Sequence, residues 1–216
     1  MGALIDGGPA VVVNNCVWDN PSPAMGDALG LTLYFGTRGE VQVWHNTLVD
    51  NGGGTGEAIQ ISDLTAEIAD VRNNLIVGHA TAIVVTAESA ITLDHNLFWE
   101  NTADFSAGVM PGPNDVHGDP RLFDRAGGDF HILPGSAALD AGENLGVAVD
   151  FEGQARPQRG GVDIGADECR AISHTEVVDH LLGVLEVTGF DLELIDDNAD
   201  DTVDTADVVN LVNQGL

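Results

Sequence analysis

Oxygen-bearing residues recur at fixed intervals in an acidic stretch near the end of the 216-residue chain. Counted from its first aspartate, they occupy positions 1, 3, 5, 9 and 12, and position 7 offers a backbone carbonyl. The six residues are Asp196, Asn198, Asp200, Thr202, Asp204 and Asp207. Ca²⁺ takes six or more hard oxygen ligands, and without a cation the carboxylates would repel one another. The spacing therefore predicts one Ca²⁺ site.

The acidic loop resembles EF-hand-type Ca²⁺ loops, with two departures. Position 6 is Asp201 where an EF-hand has glycine, and position 12 is Asp207 where an EF-hand has a bidentate glutamate. Aspartate at position 12, followed by residues 208–211, is similar to dockerins. A dockerin has two loops and docks to a cohesin-like partner, but the stretch before Thr175 lacks matching ligands. The single loop argues against that partner, and a solvated acidic turn is the alternative interpretation.

Two columns of polar residues precede a motif that recurs along the first half of the chain. The first column holds the residues two positions before the second asparagine of the motif: Trp44, Arg72 and Asp94. The second column holds the residues four positions before it: Gln42, Asp70 and Thr92. If the motifs stack as coils about 4.8 Å apart, both columns lie on one outward face.

The chemistry expected of this face is sugar binding by Trp44, Arg72, Asp70 and Asp94. Exposed aromatic rings beside hydrogen-bonding groups suit sugars, whereas paired carboxylates suit glycoside hydrolysis. Asp70 and Asp94 would lie about 8 Å apart, within the range of inverting glycosidases. No pocket that would raise a carboxyl pKa is visible, and both groups are expected on an open strand face. We assign no catalytic residue, and a solvent face with one salt bridge is the alternative.

The repeated motif predicts how these residues are positioned. Its second asparagines are Asn15, Asn46, Asn74 and Asn96, spaced by 31, 28 and 22 residues. Alternating apolar residues precede each one, which is typical of strands, and no helical pattern intervenes. Asparagine tolerates the left-handed backbone of a tight bend, and stacked asparagines can hydrogen-bond from coil to coil. His45 and His95 belong to the same turns, so a structural role is expected for both. Asparagine-rich turns of a β-sandwich are the alternative.

These rungs resemble the repeats of right-handed parallel β-helix proteins of the pectate-lyase-like kind. The resemblance implies an all-β solenoid over residues 1–102, followed by a small α-helical module at the C-terminus. That fold hosts lyases, hydrolases, adhesins and inert stalks, so it implies no particular activity. Residues 1–10 lack an export signal and the first rung lacks a cap, so an N-terminally truncated fragment is expected.

Residues 103–168 are rich in glycine, proline and aspartate and contain only short apolar pieces. We expect this segment to cover the end of the solenoid, where a last coil exposes apolar core. Its sequence pattern resembles the choice-of-anchor Q segment of bacterial surface β-helix proteins, which precedes an attachment device. The matching stretches are 118–124, 128–131, 134–142, 150–157 and 161–168. The resemblance implies export and does not imply catalysis.

Residues 169–216 are expected to form the helical module that carries the acidic loop. Residues 173–176 have the spacing of a capping box, and apolar residues follow at helical intervals. A second amphipathic helix is predicted from Thr205 to about Gln214. The two helices are expected to pack on each other, with the Ca²⁺ loop between them.

The formal net charge of -28 arises because the chain has no lysine and only seven arginines. So acidic a surface repels nucleic acid and anionic lipid and attracts cations. No uninterrupted apolar run is long enough to span a membrane. Cys16 and Cys169 lie far apart, so a disulfide is possible but is not favoured, and Cys16 is expected to fill a core position.

Two classes of function follow from these patterns. The first is an extracellular or cell-surface β-helix that binds polysaccharide or a surface component, with a Ca²⁺-stabilised module for anchoring or docking. The second is the C-terminal part of a polysaccharide-degrading enzyme, either a lyase or a glycoside hydrolase. The absence of lysine and of clustered arginines argues against lyase chemistry.

We predict that Ca²⁺ stabilises the C-terminal module. At a hundredfold excess over Kd, binding to the folded state adds about 2.7 kcal/mol to the free energy of unfolding. Thermal unfolding of the full chain, followed by helical circular dichroism, should shift upward with Ca²⁺ and revert with chelator. Equal stabilisation by Mg²⁺, or no shift, would contradict the Ca²⁺ site.

Overall fold

The computed structural model describes residues 4–5, 9–20, 29–34, 40–51, 56–62, 68–85, 90–172, 174–182, 203–204 and 206–209. Its strands, in chain order, are β1 (Leu4–Ile5), β2 (Ala10–Val13), β3 (Cys16–Trp18), β4 (Leu29–Tyr34), β5 (Val41–Trp44), β6 (Thr47–Val49), β7 (Glu57–Ser62), β8 (Ile68–Arg72), β9 (Leu75–Val77), β10 (Thr81–Val85), β11 (Ala90–Asp94), β12 (Leu97–Trp99), β13 (Ala103–Phe105), β14 (Val116–His117), β15 (Leu122–Asp124) and β16 (Asp129–Ile132). The helix is α1 (His174–Leu181).

Consecutive strands fall into three parallel sheets in turn. The orders are β1-β4-β7-β10-β13, β2-β5-β8-β11 and β3-β6-β9-β12-β14. Strands β15 and β16 form a separate antiparallel pair. Each sheet thus gains one strand per repeat, which confirms the prediction of mainly parallel β-structure. The arrangement of stacked sheets is compatible with a β-solenoid.

Alternation along the strands determines which side chains face the interior. In β5, Val41 and Val43 are fully buried, whereas Gln42 and Trp44 are partly exposed. The neighbouring strands repeat the pattern in register, so that Val43 lies beside the buried Val71. Because the side chains of a strand alternate between its two faces, every second residue of these strands points into one apolar core.

Two bends per coil use left-handed backbone. The first bend has positive φ at Asn14, His45, Asn73 and His95, with values of 55°, 53°, 57° and 52°. The second bend has positive φ at Asp19, Asp50, Gly78 and Glu100. Asparagine, aspartate and glycine tolerate this conformation better than most residues. The left-handed residue of the motif is therefore the one before the stacked asparagine.

The stacked asparagines form a ladder that joins the coils. The backbone N–H and the Nδ2 of Asn46 both donate to Oδ1 of Asn74, at 3.1 and 2.9 Å. Asn15 donates in the same way to Asn46, and Asn74 donates to Asn96. The last rung is Asp115, whose Oδ1 accepts from the N–H and the Nδ2 of Asn96. Hydrogen bonding between coils was predicted for these asparagines, and the structure contains it.

A second ladder follows the second bend and also ends in aspartate. Its residues, in order, are Asn20, Asn51, His79, Asn101 and Asp104. His79 Nε2 lies 3.1 Å from Asn51 Nδ2, and burial lowers the pKa of His79 to about 4. A neutral imidazole can accept at Nε2, so it replaces the amide oxygen of an asparagine. Asp104 is placed to accept and has no amide to donate onward.

The segment expected to cover the end of the solenoid lies mostly along its side. Residues 103–117 complete the last coil, whereas 118–172 pack on the outer face of the third sheet. That sheet is buried on both faces: Leu48 points into the first core, and Val49 and Leu75 point into a second core beneath the flanking segment. We expected an end cap for residues 118–168, and the described contacts place them along the third sheet instead. Covering this apolar sheet face removes its side chains from water, which stabilises the fold.

Polar contacts fasten this flank to several coils. Ala166 N–H donates to Thr47 Oγ1 at 2.9 Å, and Gly165 N–H donates to the Asn73 carbonyl at 2.9 Å. Asn14 Nδ2 donates to the Val149 carbonyl at 2.7 Å. Residues more than seventy positions away along the chain thus hydrogen-bond to three successive coils. These contacts hold the coils in place relative to one another.

Other predicted elements differ in extent. The stretches 147–150 and 162–164, predicted as strands, form only isolated bridges. The first predicted helix is α1, and 206–209 of the second is helical. Cys16 and Cys169 are free thiols, and both pack in the second core. No helix among the described residues is long and apolar enough to cross a membrane.

We predict that Asn74→Ala is strongly destabilising. It removes the acceptor of two Asn46 donors and the donor to the Val43 carbonyl, all buried. Unfolding in urea should show a loss of about 3 kcal/mol, since buried unpaired groups cost 1–3 kcal/mol each. The matched control is Asn15→Ala at the exposed first rung, for which we expect a loss of about 1 kcal/mol or less. Equal losses at the two rungs would contradict the ladder energetics.

Candidate functional site

The strand register forms the two predicted polar columns. Strands β5, β8 and β11 pair so that Trp44, Arg72 and Asp94 are neighbours across coils. The same pairing aligns Gln42, Asp70 and Thr92. The proposed glycan-binding residues Trp44, Arg72, Asp70 and Asp94 thus share one face of the second sheet. We call these four residues, together with Glu143, the strand-face cluster.

Arg72 is the centre of the strand-face cluster. Its Nε donates to Asp70 Oδ1 at 2.6 Å, and its Nη2 donates to Asp70 Oδ2, so the pair is bidentate. Trp44 Nε1 donates to the same Oδ2 at 3.1 Å, and the Arg72 guanidinium lies 5.6 Å from the centroid of the Trp44 ring. Such pairs are strong because two parallel hydrogen bonds and opposite charges act together. The hydrogen bond to Asp70 contributes most to raising the pKa of Arg72.

Glu143 reaches the cluster from the flanking segment and was not predicted. Arg72 Nη1 donates to Glu143 Oε2 at 2.7 Å. The Glu143 backbone N–H donates to Asn73 Oδ1, and Asn73 Nδ2 donates to the Glu143 carbonyl. Glu143 is seventy-one residues from Arg72 in a stretch without periodicity, so no local sequence signal identifies it. The structure thus extends a face of strands to include a loop.

Asp94 is hydrogen-bonded from a different side. The backbone N–H and the Nδ2 of Asn114 donate to its two oxygens at 2.8 and 3.0 Å, and the His95 N–H donates at 3.1 Å. Partial burial works to raise the pKa of Asp94, but these hydrogen bonds outweigh it and the pKa is lowered. Asp94 is therefore ionised at neutral pH, which suits an acceptor and does not suit a general acid.

The expected open strand face is wrong at Asp70, which is only 5% exposed. Arg72 and Trp44 occupy both Asp70 oxygens, and the loop at Glu143 approaches from outside. A glycosidase needs one protonated carboxyl beside an ionised one. Hydrogen bonds already occupy the oxygens of both Asp70 and Asp94, so the cluster offers a fixed polar surface, and we assign no acid–base pair to it.

The predicted Ca²⁺ ligands are described only in part. Asp196, Asn198, Asp200 and Thr202 lie outside the described residues. Asp204 Oδ1 accepts from the Ala206 N–H at 2.6 Å, and Asp207 Oδ2 accepts from the Asp204 N–H at 2.7 Å. This reciprocal pattern caps the helical turn 206–209. Four carboxylates, one amide and one carbonyl are a donor set that fits Ca²⁺.

Within the described ranges, no three side chains from histidine, cysteine, aspartate and glutamate converge as metal ligands. The flank instead contains carboxylates that hold backbone N–H groups. Asp163 accepts from the Asp140 and Cys169 N–H groups at 2.6 and 2.7 Å, and burial raises its pKa to about 7. Asp167 accepts from the Ile132 N–H at 2.8 Å, and burial raises its pKa to about 6. These contacts explain the two carboxyls as structural groups.

Arg156 is the only arginine among the described residues whose side chain is fully buried. Its Nη1 donates to Glu168 Oε2 at 2.8 Å, and its Nη2 donates to the Gly165 and Ala166 carbonyls at 2.9 and 2.7 Å. The guanidinium therefore holds the loop at Gly165 and Ala166, the two residues whose N–H groups donate to the coils. A buried charge needs such partners, because an unpaired one costs several kcal/mol.

Comparison with other proteins gives no relative for this chain. No protein-family model, no curated protein and no solved structure matches it. The chemistry of the described side chains is therefore the basis for a functional proposal.

We predict that His45→Asn removes one source of acid sensitivity. Burial, assisted by the charge of Arg156, lowers the pKa of His45 to about 3, below the ordinary 6.5. As the pH falls from 6.5 toward about 3, His45 binds a proton in the unfolded chain but not yet in the folded protein. The free energy of unfolding therefore decreases over this pH range. Asparagine occupies the same bend position at residues 14 and 73, so the fold should tolerate it.

Urea unfolding at about pH 7.5 and about pH 4.5 measures the effect. The stability of His45→Asn relative to the unmodified protein should rise at the lower pH. The control is His117→Asn, because the His117 side chain is 59% exposed. Parallel pH profiles for His45→Asn and the unmodified protein would contradict the assignment.

Proposed function

We propose that this chain forms a right-handed parallel β-helix of the pectate-lyase-like kind, displayed outside the cell or on its surface. Three parallel sheets that take consecutive strands in turn support this fold. In the proposal the β-helix is a non-catalytic scaffold that binds polysaccharide or another glycan-bearing surface component. The very acidic composition supports a ligand that is not polyanionic.

The observation that carries the proposal is the state of Asp70 in the strand-face cluster. A bidentate arginine and a tryptophan N–H occupy both of its oxygens, and the residue is only 5% exposed, so neither oxygen is free to act on a substrate. The same contacts fix the Trp44 ring and the Arg72 guanidinium in place. A preorganised aromatic ring with fixed polar neighbours binds a sugar at low entropic cost, because nothing has to be ordered on binding.

The C-terminal module is proposed to anchor or dock the scaffold. Export and attachment are proposed from the sequence pattern of residues 118–168, although no family model matches it. The donor set of the acidic loop supports Ca²⁺, with Asp196, Asn198, Asp200, Thr202, Asp204 and Asp207 as ligands. Bound Ca²⁺ would neutralise crowded carboxylates and hold the loop that links the two predicted helices. A cohesin-like partner is less favoured because only one loop has matching ligands.

We predict binding without turnover when neutral and acidic polysaccharides are screened. Retention on an immobilised neutral glycan should be lost in Trp44→Ala and partly kept in Trp44→Phe, which retains a ring. Val11→Ala is the control, since Val11 is exposed on the same sheet in register with Gln42. Stacking of a sugar on one aromatic ring predicts a loss of about tenfold in affinity.

The enzyme interpretation is tested in the same screen. Release of reducing sugar or of unsaturated uronate that disappears in Asp70→Asn or Asp94→Asn would overturn the non-catalytic proposal. Retention that is unchanged in Trp44→Ala would overturn the strand-face cluster as the glycan site.

A further inference from the structure

A groove of about 300 Å³ opens on the flank, away from the strand-face cluster. It lies between the end of β3 and the hairpin of β15 and β16, with the turn after residue 150 on its rim. Its lining residues include Cys16, Trp18, Asp129, Phe130, His131 and Phe151, and Glu152 contacts the lining residue His131. A concave site of this size accommodates a small ligand.

Two large aromatic rings are exposed at the groove. Trp18 is 42% exposed and Phe151 is 38% exposed, although such side chains usually lie in the core. The Trp18 ring packs edge-on against buried Phe130, with centroids 5.7 Å apart. The Phe151 ring lies 5.4 Å from the His131 ring. The rings are therefore held by neighbours and still contact solvent.

Gly128 makes the position of Trp18 possible. A Cβ at this residue would lie 2.6 Å from the Trp18 ring, and its φ of +83° is a left-handed conformation that favours glycine. The hairpin turn thus presses its backbone against the indole. The aromatic wall is fixed before any ligand arrives, which lowers the entropic cost of binding.

Two carboxylates and one histidine lie at the groove. Burial works to lower the pKa of His131, but the carboxylates outweigh it and the pKa is raised. A net negative charge remains at the groove even when His131 is protonated. His131 Nδ1 lies 2.5 Å from Asp129 Oδ1, and its Nε2 lies 3.0 Å from Glu152 Oε2. Both carboxylates are partly exposed, at 38% and 43%. His131 is the one basic side chain among the described lining residues. Burial, together with the negative charges of Asp167 and Glu152, raises the pKa of the Cys16 thiol to about 12.

We propose that this groove binds an organic ammonium ion. The apolar body of the ligand would lie on the Trp18 and Phe151 rings, and its charged nitrogen would face Asp129 and Glu152. Aromatic faces attract ammonium groups through the ring quadrupole, and nearby carboxylates add Coulomb attraction. An anionic ligand is repelled here, and a neutral ligand gains only the ring contact. Nothing in the non-catalytic glycan proposal requires this second site.

Three probes separate charge from shape. Glucosamine has a sugar ring with a protonated amine, N-acetylglucosamine has a closely similar ring without the charge, and choline has the charge without a sugar. Calorimetric titration of the full chain should show binding of glucosamine, of choline or of both, and weaker binding of N-acetylglucosamine. Binding of choline identifies a general ammonium site, whereas binding of glucosamine alone identifies an amino-sugar site, and either result supports the proposal.

Variants of the groove locate the site. Glu152→Gln and Phe151→Ala should each weaken binding of the cationic probe about three- to tenfold, from the loss of one charge or one ring. The matched control is Glu100→Gln, which removes an equal charge from a side chain that is 56% exposed and paired with Arg125 elsewhere. Thermal melts confirm that each variant is folded, and Phe151 is exposed enough to be replaced with little strain.

Two results would overturn the proposal. Equal binding of N-acetylglucosamine and glucosamine would show that the ligand charge is not read, while leaving glycan binding by the scaffold intact. No binding of either cationic probe, or binding that is equally strong in Glu152→Gln, Phe151→Ala and Glu100→Gln, would show that the groove is not an ammonium site. Neither result depends on the polysaccharide screen with Trp44→Ala.

Discussion

The amide ladder is the interaction on which the rest of the structure depends. Every coil bends through left-handed backbone, and each bend leaves an N–H group that needs an acceptor. The side chain of the next rung supplies it, as Asn74 does for Asn46. This requirement fixes the register of one coil on the next. The columns of interior valines and of outward polar residues follow from that register, because a slip by one residue would exchange the two faces.

The flanking segment converts a stack of coils into one body. It covers the third sheet with apolar side chains and fastens to the bends through Thr47, Asn73 and Asn14. Its own loop is held by Arg156, whose buried charge is paired with Glu168 and whose Nη2 donates to backbone carbonyls. The strand-face cluster depends on the same connection, since Glu143 reaches Arg72 from this segment. Order in the site is thus set by contacts between distant parts of the chain.

The sequence predicted the features that repeat, and it did not predict those that occur once. The motif of Asn15, Asn46 and Asn74 identifies the rungs, and its spacing alone predicts that Trp44 lies beside Arg72, as it does in the structure. Glu143 and the groove at Trp18 each join segments that share no period. Nothing local marks such a pair, because the contact exists only after the flank has folded onto the third sheet.

The side on which the flank packs was also unpredictable from pattern alone. Outward residues such as Val49 and Leu75 are apolar, but a strand of three residues shows too little alternation to reveal that both of its faces are buried. Asp70 shows the converse limit. An acidic residue in a strand is expected to be exposed to solvent. Here Arg72 neutralises the charge of Asp70, and Trp44 donates a hydrogen bond to it.

The aspartates that end the two ladders give the stack a direction. Asp115 accepts a hydrogen bond from Asn96 on one oxygen and from the Gly112 N–H on the other. Asp104 accepts from Asn101 on one oxygen, and its other oxygen lies within hydrogen-bonding distance of His117. Neither aspartate side chain has an amide group that could donate a hydrogen bond to a further rung. A foreign strand that approached this end would face filled acceptors and negative charge instead of a template. Charged residues at a sheet edge disfavour edge-to-edge pairing with another chain, and these two aspartates place such charge at the bends of the last coil.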